Sequence, residues 1–243
     1  MAISIKELFD PVVAAIREVR ANQQNCKILT LGYPDVLFTK AQLQSMFGKE
    51  LIKNAVFHPN NEGVWRWHGY HQHQHEPMID AISLFHCLGA THVEVVDIVA
   101  SRNVERIVNL NTPMPPDLLG QFDIAIDPGT TEHCFNFGQA IKNLAESVCL
   151  GGYIFTSGPM NMYNHGFFSF NPTLYIDFYG QNGFKILSLY GVGNSKIFDL
   201  NTTDRFNKAP EGATIGAIVK RIKLQNIIWP TQTKYLKNSA LIS

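Results

Sequence analysis

Short apolar runs that close on a charged or small residue recur along this chain, and stretches with helical spacing of apolar positions lie between them. Lys27–Leu31 stops at Gly32, while His92–Asp97 and Phe122–Asp127 each end in an acid; residues 153–156 and 184–190 add two more runs. Strands alternating with helices at this spacing form a mostly parallel sheet, covered by helices on both faces and joined by right-handed crossovers. Ligands of such sheets bind beyond the carboxyl ends of the strands, where strand order reverses. The residues that end strands are therefore the first candidates for function.

An amphipathic helix is expected over residues 5–20, with Leu8, Val12, Ala15, Ile16 and Val19 on one face and Pro11 as its weak point. Thr39 can cap a helix running to Phe47. Residues 77–88 are helical in pattern and stop at Gly89. Further on, 104–109 reads as a strand, 137–150 as a helix broken by Gly151 and Gly152, and 172–179 as a helix. Residues 213–224 suit a late strand that pairs antiparallel with 184–198. Residues 48–75 form an irregular, His-rich insertion. Length alone allows one large domain or two small ones; the pattern is read as a single domain over 1–243.

Twenty Lys and Arg balance twenty Asp and Glu. Without a net positive field, nucleic acid is not an expected partner. Cys26, Cys87, Cys134 and Cys149 form no CxxC pair and suit buried thiols in a reducing compartment. The opening residues look amphipathic rather than like a signal peptide, and no apolar run approaches the ~20 residues that span a bilayer. A cytoplasmic protein with no membrane partner is expected.

Asp97 ends its strand where a carboxylate can accept two ribose hydroxyls; it can equally cap or turn the chain. The loop after the first strand, Leu31-Gly32-Tyr33-Pro34-Asp35, has a single glycine. Pro34 has no N–H to give, so this loop is a poor cradle for a pyrophosphate. That argues against NAD, FAD and ATP, whereas a phosphate-free ligand such as an adenosyl amino acid is better tolerated. After Asp127, Pro128 and Gly129 can turn the chain sharply. Glu132 and His133 follow at the sheet rim, where a histidine can be a general base or can simply bond to backbone.

The segment FDIAIDPGTTEHCFNFGQAIKNLAESVCLGG, residues 122–152, resembles class I S-adenosylmethionine-dependent methyltransferases, closest to their small-molecule members. Gly89-Ala90-Thr91, Asn109-Leu110-Asn111 with Pro113 and Pro115, the run NMYNHGFFSFNPTLYIDFYGQNGF at 161–184 and the tail Ile227-Ile-Trp-Pro-Thr-Gln fit the same pattern, over residues 76–230. The resemblance implies a Rossmann-like methyltransferase fold of the α/β class, with a mostly parallel seven-stranded sheet and an antiparallel last hairpin. It implies S-adenosyl-L-methionine as cofactor and methyl transfer to an oxygen or nitrogen of a small molecule. By position, Gly32 would face the methionine part and Asp97 would hold the ribose hydroxyls. Asn109, or Asn111 in second place, would stand near the adenine edge, and Asp127 and His133 would border the transferred methyl. His133 or His165 would take a proton from the acceptor. Tyr163 and Asn164 would orient the acceptor, and Phe167 with Phe168, Phe170 and Tyr175 would wall the pocket.

Two positions depart from that pattern. The first-strand loop lacks the usual acid and glycines, and position 109 is Asn where Asp is more common. A non-catalytic, methyltransferase-like interaction protein is therefore one alternative, with Trp65, Trp67 and Tyr70 as aromatic anchors. The cluster His68, His71, His73 and His75 supplies another, a metal-dependent enzyme. If their segment is extended, His71, His73 and His75 share a face and can bind a transition metal, with Glu76 or Asp80 as a carboxylate partner. The bland readings of that stretch are an exposed polar loop or a pocket lining. A homo-oligomer or a protein partner stays open.

Overall fold

The strands that the sequence marks most clearly form with the expected bounds, and several helices begin at the caps that the sequence provides. The computed structural model describes residues 2–59, 61–194, 196–202 and 208–237. The fold is α/β and Rossmann-like, with an antiparallel terminal hairpin. The chain divides into two compact units, Met1–Ile107 and Val108–Ser243.

In the first unit, helix α1 (Lys6–Asn22) continues through Pro11 and buries Phe9, Val12, Val13, Ala15 and Ile16. Its buried face thus takes in Phe9 and Val13, while Leu8 and Val19 are only half-buried. Strand β1 (Lys27–Leu31) follows. Helix α2 (Lys40–Phe47) opens on a capping box between Thr39 and Gln42, which satisfies two otherwise orphaned backbone donors. Helix α3 (Glu62–Trp67) carries Trp65, fully buried against Leu37 and Met78, with its indole N–H donating to the Glu76 carbonyl at 3.0 Å. Helix α4 (Ala81–Leu88) is capped by Asp80 and stops at Gly89, whose φ of 115° suits glycine.

Strand β2 (His92–Asp97) lies parallel to β1, and β3 (Arg106–Ile107) lies parallel to β2. The strand expected over 104–109 is thus much shorter. The cause is local: the Glu105 carboxylate accepts from the Ser101 hydroxyl and from the N–H groups of Arg102 and Val104, which turns the preceding residues. Two small ladders complete the unit, Ala2–Ile3 with Asp35–Val36 and Phe57–His58 with Met78–Ile79.

In the second unit, β4 (Phe122–Asp127) is followed by helix α5 (Phe137–Ser147) and runs parallel to β5 (Val148–Pro159). The helix expected to reach residue 150 stops three residues earlier, and the strand runs through both glycines. A Cβ on Gly152 would meet the backbone oxygens of Cys149, Asp123 and Phe122 at 3.0–3.2 Å, so glycine lets the two strands approach at an irregular register. Arg221 closes the helix end by donating to the carbonyls of Ala145 and Val148, a favourable place for a cation.

Helix α6 (Pro172–Gln181) starts with proline at its first position. After it come β6 (Phe184–Gly193), β7 (Lys196–Phe198) and β8 (Thr214–Arg221). Strand β8 lies between β5 and β6 and is antiparallel to both, as the expected closing hairpin requires. Among the described residues the two units hold three and five of these strands. β7, an edge strand antiparallel to β6, is the addition to the seven expected. The chain ends in a short helix, α7 (Thr233–Lys237), and none of the helices described is long and apolar enough to cross a membrane. None of the four cysteines is in a disulfide; Cys26 and Cys134 are buried.

Candidate functional site

One buried carboxylate organises the turn that leaves β4. Asp127 Oδ1 accepts from the N–H groups of Gly129, Thr130 and Thr131, at 3.1, 2.7 and 3.4 Å. Its Oδ2 accepts from the hydroxyls of Thr131 and Thr156, at 2.7 and 3.2 Å. Burial raises the Asp127 pKa, against these stabilising bonds. Gly129, at φ 98°, allows the reversal. With both oxygens committed, Asp127 is a positioning residue: it fixes the turn that presents Thr131–His133 as a short 3₁₀ helix.

That turn holds Glu132 and His133 in opposite environments. Glu132 is fully buried, and both its carboxylate oxygens lack a hydrogen-bond partner among the described residues. Its pKa is pushed up to about 8, first by burial and then by the charge of Asp127. The His133 side chain is 48% exposed, and its Nε2 stands 3.8 Å from Glu132 Oε1. Burial of its inner part, and next the neighbouring His165, lower its pKa and favour the neutral imidazole.

The third member comes from the segment between β5 and α6. His165, with 35% of its side chain exposed, brings Nε2 to 3.3 Å from Glu132 Oε1, and its ring lies 5.2 Å from that of His133. These are ion-pair distances without hydrogen-bond geometry, which is why the Glu132 oxygens still count as unpartnered. Backbone shape makes the approach possible. Asn164 has φ 56°, Gly166 packs directly on Glu132, and the Phe167 N–H donates to the Glu132 carbonyl at 2.9 Å. A Cβ at Gly166 would sit 2.9 Å from that carbonyl oxygen and 3.0 Å from Glu132 Cγ. The His-Gly pair at 165–166 is thus the sequence signal for this juncture. Glu132 and Gly166 are the members to which sequence reading gave no role.

The remaining candidates are distributed as follows. Tyr163 and Phe167 are 93% and 64% exposed, and Phe167 meets Phe135 edge-on at 5.5 Å. Phe170 and Tyr175 are buried, so the expected aromatic wall is split between surface and core. Asn109 Oδ1 accepts from the backbone and side-chain N–H groups of Asn111, and Asn111 in turn accepts from the Asn136 N–H. In the first unit, Asp97 Oδ1 accepts from the Ile98 and Val99 N–H groups, so this carboxylate turns the chain after its strand. Gly32 is buried at φ 75° and donates its N–H to the Val96 carbonyl at 2.7 Å. Tyr33 fills the loop, hydrogen-bonded to Asp80 and covered by Arg102.

His71–His73 form a 3₁₀ helix, so the extended segment that would align His71, His73 and His75 is not present. His68 pairs with Asp35 and His75 with Glu62, while His73 packs on Trp65 and Tyr70. Among the described residues, the group whose ligand atoms converge within 4.8 Å is Glu132, His133 and His165. Trp65 is core and cannot be a surface anchor; Trp67 is exposed.

No family model and no curated protein matches this chain. It is similar to the solved structure of TehB from Haemophilus influenzae, with 13% identity and a TM-score of 0.44, over 86% of this chain and 62% of that one. It is also similar to the N-methyltransferase NodS from Bradyrhizobium japonicum WM9 in complex with S-adenosylhomocysteine, with 7% identity and a TM-score of 0.44, over 88% and 87%. A third is 1,6-didemethyltoxoflavin-N1-methyltransferase from Burkholderia thailandensis, with 12% identity and a TM-score of 0.41, over 89% and 79%.

Proposed function

We propose that this protein transfers a methyl group from S-adenosyl-L-methionine to an oxygen or nitrogen of a small molecule. The observation that carries the reading is the place of β8, which enters antiparallel between β5 and β6. That is the closing arrangement implied by the sequence resemblance over residues 76–230, and the Glu132–His133 pair follows β4 as in the 122–152 segment of that resemblance.

The residues suit this cofactor better than a phosphate-bearing one. The Gly32 N–H is committed to Val96, and Pro34 has none, so the first loop cannot gather donors around a pyrophosphate. Among the described residues, Asp97 uses Oδ1 alone in its turn. Oδ2 is left to accept a ribose hydroxyl, and an exchange of the weak Val99 bond would admit a second. The bound sulfonium supplies a methyl group already activated for displacement. The chain's own task is to hold the acceptor in line and to take its proton. His133 takes that proton, with His165 beside it, at the half-exposed mouth of the Glu132 turn. Tyr163, Asn164 and Phe167 orient the acceptor from the neighbouring segment.

Calorimetric titration with S-adenosylhomocysteine tests this reading. One saturable site per chain is expected, and Asp97→Ala should weaken it about tenfold or more through lost charge-assisted hydrogen bonds. Absence of heat at millimolar ligand removes the proposal. Undiminished affinity in Asp97→Ala takes the ribose away from that carboxylate.

A further inference from the structure

We infer that Glu132, His133 and His165 form a binding site for one divalent transition-metal ion with an open coordination position. The inference does not rest on the methyl-transfer reading: a chain that binds metal but no S-adenosylhomocysteine retains it.

Three observations converge. Glu132 is fully buried, yet neither carboxylate oxygen has a hydrogen-bond partner among the described residues. A buried carboxylate without a hydrogen bond is costly, and such groups are kept where a cation or a partner completes them. Second, two imidazole nitrogens already face the same oxygen, at 3.3 and 3.8 Å. Ligand atoms about 2.0–2.2 Å from a tetrahedral ion lie about 3.3–3.6 Å apart, so small rotations of two half-exposed rings complete the set. Third, the backbone is shaped for this approach: Gly166 brings the His165 segment onto Glu132, and the Phe167 N–H locks it there.

Two imidazoles and one carboxylate favour zinc, iron or a neighbouring divalent ion over calcium or magnesium. Three protein ligands, two of them facing solvent, leave a position for water or for an oxygen of a small molecule. A hydroxyl bound there would lose its proton to solvent water near neutral pH, since the ion stabilises the alkoxide left behind. In the metal-loaded protein the imidazoles are therefore ligands, and the ion assists deprotonation in their stead.

The test is a calorimetric titration of chelator-stripped full-length protein with Zn²⁺, repeated with Co²⁺ to read the visible d–d absorption of the bound ion. One ion per chain is expected. His165→Ala, at a half-exposed side chain, and the isosteric Glu132→Gln should each weaken binding by about 100-fold or more, and both should alter the Co²⁺ spectrum. The triple variant His71→Ala/His73→Ala/His75→Ala should bind as the parent does. The inference is overturned if no stoichiometric ion binds, if His165→Ala and Glu132→Gln bind like the parent, or if only the triple variant loses the ion.

Discussion

His133→Ala is expected to lower turnover about 10²- to 10⁴-fold while affinity for S-adenosylhomocysteine stays near that of the parent. The loss falls on the proton step, because the imidazole stands at the mouth of the site and has a depressed pKa. Single-turnover kinetics, with chemistry made rate-limiting, are the appropriate readout. A rate equal to the parent's rejects the assignment. Chelation then separates two ways of losing the same proton. Activity that survives stripping leaves it with the imidazole, whereas activity that returns only with Zn²⁺ assigns it to an oxygen bound by the ion. His165→Ala should resemble His133→Ala in the second case and be milder in the first.

Asp127→Ala is expected to cost about 3 kcal/mol of stability or more. Three backbone N–H groups and two hydroxyls lose their acceptor, all but the Thr130 N–H in a buried place, and each unsatisfied buried donor costs about 1–3 kcal/mol before relaxation. Urea unfolding should show a lower midpoint with a similar slope. Asp127→Asn keeps one acceptor oxygen and should lose less. If Asp127→Ala unfolds at the parent's midpoint, the turn is held by something other than this carboxylate, and the presentation of Glu132 and His133 needs another cause.

Much of the sheet was legible because its signals are local. Lys27–Leu31, His92–Asp97 and Phe122–Asp127 are apolar runs with clear stops, and they form strands with those bounds. Thr39 and Gly89 mark helix ends through their own backbone chemistry. Residues 148–152 misled for the opposite reason. Gly151 and Gly152 look like a helix break, but Gly152 serves a close contact with β4, which only the assembled sheet creates. Glu105 shortened a strand by a side-chain bond that no periodicity records.

The site was half legible. A strand ending in Asp127, followed by Pro128, Gly129, Glu132 and His133, announces a turn that carries chemistry. That Asp127 would spend both oxygens on the turn, leaving Glu132 as the unpartnered acid, depends on burial and so is invisible in one dimension. The histidine-rich stretch drew attention by density alone. Its histidines found partners such as Asp35 and Glu62 within their own unit, while the converging pair came from His133 and His165.

The relation between cofactor and cluster can be measured directly in a crystal structure with S-adenosylhomocysteine bound. Its sulfur is expected to face Glu132, His133 and His165 across a gap that one small acceptor fills. A bound ligand whose sulfur points away from both imidazoles, or one seated where none of the three can reach the acceptor, contradicts the proposed chemistry.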